Sequence, residues 1–462
     1  MPSTVFDSSI FRDAFGTPAM RAIFADEATI ARYVEVEVAL AAAEARVGII
    51  PKNAAATIKR LARADSIDVD RLKAETDLVG YPIVGVVHQL ARQCGDAGRY
   101  VHWGATTQDI MDTAAVLQVR DALALVDADL AALDAALAAL ATRHRDTVMA
   151  GRTHLQHALP VTFGYKAAVW LGMVRRHRQR LAELRPRVLV GQFAGAAGTL
   201  ASLGGKGLAV HDALMAELDL GRPSTPWHVA RDGLAETVSL LGLVTGTLAK
   251  IATDVMLLMQ TEVGEAFEPF VKGRGSSSTM PQKRNPISCE LILAAAKIVR
   301  QQAGLMLDAM AADHERATGP WQIEWVAVPQ AFTASSGALR QARFMLEGLI
   351  VDAGRMRRNL DITGGLIVAE AVMMALAEHT GRQDAHDLVY GACRAALDGG
   401  STLLAELKRR PEVTRHLDER RLAELTDPVN YLGCAPAMID RALAAKSPAS
   451  PSRDRKNRAR KA

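Results

Sequence analysis

From Leu123 to Leu140 the apolar side chains keep to one seam. Leu123, Val126, Leu130, Leu133, Leu137 and Leu140 follow each other at steps of 3, 4, 3, 4 and 3. A second run repeats the pattern through Leu234, Val238, Leu241, Thr245, Leu248, Ala252, Val255 and Met259. A stripe sustained over that many turns fits long α-helices packed side by side. Helix-like runs also cover residues 27–47, 161–183, 288–312, 331–349 and 366–379. No alternating strand run with hairpin turns stands out, so the chain reads as all-α. Aromatic residues make up only 5%, which makes the expected core aliphatic.

Central helices that are apolar on more than one face need neighbours, from their own chain or from other copies. Three segments follow from the pattern. Residues 1–104 form an N-terminal helical domain, 105–350 a central long-helix bundle, and 351–445 a C-terminal helical domain. Residues 446–462 form a Pro/Ser-rich basic tail with the composition of a disordered segment. Its last 16 residues carry six cations and one acid, a net +5 that exceeds the +4 of the whole chain. The basic balance therefore belongs to the tail, and a nucleic-acid partner is not expected of the folded part.

The apolar run over 234–259 contains Lys250 and Asp254. A membrane span needs roughly 20 apolar residues with few or no charges, so a buried central helix is the expectation and no membrane partner is implied. The first residues lack a basic region followed by an apolar run, which gives no sign of a signal peptide. The four cysteines, Cys94, Cys289, Cys393 and Cys434, have no metal-knuckle or CxxC spacing. A reduced, cytoplasmic protein without a metal or organic cofactor is expected.

Three polar islands interrupt the helices. The first is "VHWGATTQDIMDT", residues 101–113. Thr106, Thr107 and Gln108 stand there at a helix entry, where hydroxyls and backbone N–H groups can hold a carboxylate. The second is "GRTHLQHALPVTFG", residues 151–164. It sets Thr153 beside His154, a side chain suited to proton transfer, and His157 reads as one helical turn further on. Pro160 suits the first turn of the following helix. The third is "GRGSSSTMPQKRNP", residues 273–286. Its serines and glycines can offer N–H groups to an oxyanion, Lys283 and Arg284 add positive charge, and two prolines stiffen it.

The string "SSTMPQKRNP" closely resembles the signature GSSxMPxKxNP of the fumarase/aspartase superfamily, and the other islands are similar to its other two signature regions. The likeness runs over residues 5–445. It is strongest to the branch that contains adenylosuccinate lyase and 3-carboxy-cis,cis-muconate cycloisomerase. It implies a homotetramer of three-domain helical subunits, with each active site drawn from three of them and a small dicarboxylate or succinyl compound as substrate. It further implies Ser277 as the general base, working through an aci-carboxylate intermediate, with Ser278 next in line because Ser276 replaces the signature glycine. Lys283 and Asn285 match positions that bind substrate carboxylate. Met280, Ser278, Thr106, Thr107, Gln108, Thr153 and Arg316 fall within the substrate-binding segments.

In the family's C–N and C–O lyases a histidine of the second region pairs with a glutamate 13 residues after the base. Here those positions are His154 and Glu290, a pair that bacterial cycloisomerases usually lack. His102 is a second acid candidate. Gln282 replaces a histidine usual in both relatives, and "HERATGPWQIEW" differs from the nucleotide-binding form of adenylosuccinate lyase. The resemblance therefore implies elimination of an amine from an N-substituted aspartate, releasing fumarate. Lactonisation of 3-carboxymuconate is the alternative, ahead of adenylosuccinate cleavage or a non-catalytic role.

Overall fold

A computed structural model describes residues 4–445 of the chain; the basic tail lies outside them. The N-terminal part centres on α1 (Asp26–Val47). The bundle is built from α2 (Thr107–Arg143), α3 (Phe163–Val188), α5 (Asp232–Met259), α6 (Ile287–Asp308) and α7 (Pro320–Glu347), with the shorter α4 (Gly207–Leu218) between α3 and α5. The C-terminal part includes helices α8 (Ala369–Thr380), α9 (Arg382–Gly399) and α10 (Ala435–Ala444).

The seam read from the sequence is the core of the bundle. Leu123, Val126, Leu130, Leu133 and Leu137 are all no more than 1% exposed and join Val238, Leu241, Leu248 and Val255 in one apolar cluster. Burying each such side chain stabilises the fold by about 1.5–3 kcal/mol. Thr245 is tolerated on the seam because its hydroxyl donates to the Leu241 carbonyl at 2.8 Å. Helix α5 is long and apolar enough to cross a membrane by length and composition, but half of that window is buried inside this chain. Its Lys250 and Asp254 pair with each other, and the Trp170 indole also donates to Asp254.

Two sets of contacts fix the direction of the helices. Arg231, just before α5, bonds Asp112 in the second turn of α2 and Glu324 in the second turn of α7, so these three helices begin at one end. At the far end β3 (Ala266–Phe267), after α5, pairs with β4 (Ile350–Val351), after α7. Helix α6 starts at that far end, because the Glu268 carboxylate accepts from its first N–H groups, Ser288 N at 3.2 Å and Cys289 N at 2.8 Å. Helix α2 has 37 residues, which at 1.5 Å each separates the two ends by about 55 Å.

The cores cut across linear order. Residues 193–220, including α4, share an apolar cluster with α1, the helix Ile83–Cys94 and the first turns of α2. A separate cluster lies between α8, α9 and residues 403–422. Helix α10 then returns to the bundle, where Ile439 enters the main core and Arg145 pairs with Asp440.

The strands were not foreseen, neither the β3–β4 pair nor the hairpin before α3. Residues 148–162 form an antiparallel hairpin, β1 (Val148–Thr153) and β2 (Gln156–Thr162). His157 is therefore on a strand, not a helical turn after His154, and Pro160 sits opposite Ala150 in the ladder rather than in a helix. A two-stranded sheet consists only of edges, which is where proline is tolerated. Thr162 ends the hairpin and caps α3, its hydroxyl accepting from Tyr165 N. Helix α7 also starts at Pro320, well before residue 331, with Pro329 inside it.

Candidate active site

The first island lies at the near end of the bundle. Thr106 caps α2 and its N–H donates to Asp109 Oδ2 at 3.0 Å, completing a capping box. Asp109 is fully buried. Its oxygens also accept from Ala194 N, Gly195 N and His228 Nε2 at 2.8–2.9 Å. One carboxylate thus ties the helix start to the loop that follows α3. Gln108 is turned inward, donating to the His228 carbonyl, while Thr106 and Thr107 are half-buried. Arg316 reaches this point from the loop between α6 and α7 and donates to the Thr106 hydroxyl and the Ala196 carbonyl.

His102 precedes that cap in a left-handed backbone conformation, φ 62°. Its Nδ1 lies 2.6 Å from Glu37 Oε1, contributed by α1. Burial works against the charged imidazole, but Glu37, through its charge and hydrogen bond, and Asp109 beyond it raise the histidine above its ordinary pKa.

The second island is the hairpin tip at the far end. The two-residue turn is His154 (φ 51°) and Leu155 (φ 64°), both left-handed, the geometry of a type I′ turn that normally takes Asn-Gly. Thr153, His154 and Leu155 are exposed, and the His154 ring makes no hydrogen bond among the described residues. The strand beneath is anchored by a two-pronged pair from Arg152 to the buried Glu265, at 2.7 and 2.9 Å. His157 sits lower, with burial and then Arg152 depressing its pKa.

The third island is a loop with fixed legs and a free tip. On one leg Arg274 stacks over Phe344 and donates to Ser288 and Gln341. On the other, Arg284 lies over Phe270 and Phe267 and donates to the Glu268 carbonyl. The legs meet where Asn285 N donates to the Gly275 carbonyl at 2.9 Å. Gly275 has φ 72°, and a Cβ there would stand 2.6 Å from the Asn285 carbonyl oxygen, so only glycine fits. At the tip Ser277 Oγ accepts from Met280 N at 3.1 Å and Thr279 N at 3.3 Å. Two N–H donors on that oxygen favour its anionic form. Ser278, Met280 and Lys283 are exposed, and Glu290 faces solvent in the first turn of α6.

The structure thus sorts the expected residues into two groups. His102, Thr106, Thr107, Gln108 and Arg316 sit at the near end. Thr153, His154, Ser277, Ser278, Met280, Lys283, Asn285 and Glu290 sit at the far end, and no hydrogen bond between His154 and Glu290 is described. Glu37, Asp109 and His228 were not anticipated; only the Asp109/Asp112 spacing in "TTQDIMDT" hinted at an inward-facing acid. Among the described residues no group of three His, Cys, Asp or Glu is placed to hold a metal ion.

Comparison with known proteins gives this arrangement its class. Residues 13–300 match the family model described as Lyase, and residues 365–442 that described as Adenylosuccinate lyase C-terminus. The chain is 49% identical to a 3-carboxy-cis,cis-muconate cycloisomerase of Pseudomonas aeruginosa, over 96% of this chain and 97% of the relative. It is 50% identical to Trans-aconitate decarboxylase 1 of Mycosarcoma maydis, over 97% and 91%. It is 40% identical to an N-acetyl-S-(2-succino)cysteine lyase of Dickeya dadantii, over 96% and 98%. A crystal structure of a fumarate lyase from Mesorhizobium sp. BNC1 superimposes with a TM-score of 0.88 at 56% identity, covering 94% of this chain and 99% of that one. The chain belongs to the fumarase/aspartase superfamily of lyases, and it is an enzyme of that superfamily.

Proposed function

We propose that the enzyme eliminates an amine from an N-substituted aspartate, releasing fumarate, in a homotetramer whose sites combine residues from different subunits. One observation carries this reading. His154 is held on a strained turn at an exposed tip, Glu290 is exposed on the first turn of α6, and neither finds a partner among the described residues. A histidine–carboxylate pair is what protonating a poor leaving group requires. The roughly 55 Å between Thr106 and the hairpin supports a shared site, since one chain cannot close that gap.

In this reading Ser277, as the alkoxide, takes the proton from the carbon next to a carboxylate. The C–H electron pair moves into that carboxylate, and Lys283 with Asn285 stabilises the dianion as it forms. The pair then returns to form the C=C bond, the C–N bond breaks toward nitrogen, and His154 donates the proton that lets the amine leave. The relative named for a succinocysteine substrate supports cleavage of a substituted succinate.

A second reading, lactonisation of 3-carboxy-cis,cis-muconate, is favoured by the 49% identity to the cycloisomerase over nearly the whole of both chains. An ultraviolet assay separates the two. N-succinyl amines, S-succinyl thiols, 3-carboxy-cis,cis-muconate and trans-aconitate would be offered in turn. Fumarate from an N-succinyl amine, lost in His154→Gln, supports elimination. Fumarate from a thiol adduct alone would keep the elimination and replace the amine. Loss of the muconate absorbance, unaffected by His154→Gln and without fumarate from any adduct, would replace the reading by lactonisation. Carbon dioxide released from trans-aconitate alone would overturn both.

A further inference from the structure

The elimination chemistry leaves a pair of buried acids on α1 unused. Glu37 and Glu44 lie two helical turns apart on one face, 2% and 0% exposed. Glu37 Oε1 meets His102 Nδ1, while Glu37 Oε2 and both oxygens of Glu44 are buried without a hydrogen-bond partner. Two ionised carboxylates in such a place would each carry a heavy desolvation penalty and would repel each other. The strain is relieved at Glu44. Burial, then the charge of Glu37, pushes it up to about 9, so it keeps its proton at neutral pH. One negative charge remains, on Glu37, and it faces His102.

We propose that Glu37 is a positioning residue that fixes His102 as an imidazolium, with Nδ1–H bound to Glu37 and Nε2–H left to bind the anionic substrate. The backbone supports this. His102 is held in the left-handed region by the turn that Ala105 N closes onto its carbonyl, at an energetic cost that persists only where surrounding contacts enforce it. The charges that raise its pKa are those of Glu37 and Asp109. Glu37 approaches from α1 and the neutral Glu44 stands behind it. Asp109 approaches from α2, already bonded to His228 and three N–H groups. Arg316, from the 309–319 loop, is bonded to Thr106 and Ala196. The inference rests on the reading above only for the identity of the anion.

The test is a titration of the resting enzyme labelled with ¹³Cε1-histidine, with the His102 signal assigned by its loss in His102→Gln. His102 should half-titrate above an ordinary histidine. Glu37→Gln should bring it down, and lower kcat/KM roughly tenfold more at pH 8 than at pH 6. Glu44→Gln, which mimics the protonated acid, should leave the titration within about 0.3 unit. An ordinary or depressed His102 titration in the unsubstituted protein overturns the proposal, with no variant needed. So does a folded Glu37→Gln protein whose His102 titrates unchanged. A downward shift in Glu44→Gln would overturn the neutral state of Glu44. Because the titration needs no substrate, an enzyme that titrates as expected but turns over none of the panel overturns the functional reading alone.

Discussion

The two ends of the bundle treat polar side chains in opposite ways. At the near end they are consumed within the chain. Asp109 accepts four hydrogen bonds, and Arg231 is gripped by Asp112 and Glu324 and stacked on Trp227. At the far end His154, Ser278, Lys283 and Glu290 stand exposed. The buried groups of the near end find their partners inside the subunit, whereas the exposed far-end residues matched to the chemistry are left open for a partner from outside. The buried ion pairs of the near end should therefore fail through stability, and the exposed residues of the far end through turnover.

The largest effect tests the locked end. Arg231→Met leaves Asp112 and Glu324 buried without their cation and should cost about 3–5 kcal/mol in urea unfolding. A variant of normal stability would erase the contrast. Ser277→Ala tests the open end. Turnover should fall on the order of 10³-fold while stability stays within about 0.5 kcal/mol. A large loss of stability there would place the loop with the locked residues.

Glu44 sharpens the comparison, because it is buried yet unpaired. Its folded-state pKa is raised to about 9, so it disfavours folding progressively as pH rises from its unfolded value toward 9. Glu44→Gln should therefore gain stability over the parent along that range, at most about 1.4 kcal/mol per pH unit. A gain that does not vary with pH would contradict a protonated Glu44. The smallest effect lies at the hairpin tip. Leu155→Gly removes a left-handed leucine that costs roughly 1–2 kcal/mol, partly offset by the entropy of glycine. A net gain of about 0.5 kcal/mol in thermal unfolding would confirm strain at the tip, and a loss would deny it.

The helices were legible because a 3-4 repeat is a local property of sequence, and Leu123 to Leu140 announce their own burial. The hairpin was not, because its turn uses His-Leu where Asn-Gly would have signalled it, and its strands contain Gly151 and Pro160. The loop at 273–286 was legible as a motif. Its anchoring was not, since Arg274 and Arg284 find Phe344, Phe267 and Phe270 only in the fold. Glu37 was invisible for the same reason, because 65 positions separate it from His102.

The anchored legs of that loop bear on how tightly a substrate can be held. Ordering a residue costs roughly 1–2 kcal/mol of conformational entropy. A segment loose from Gly273 to Pro286 would absorb most of what the contacts of a small dicarboxylate can return, and saturation would demand high concentrations. With Arg274 and Arg284 clamped and the Ser277 turn already formed, any closure has only a few residues left to order. Loosening either arginine should therefore appear first as a weaker grip on substrate, before the chemical step slows.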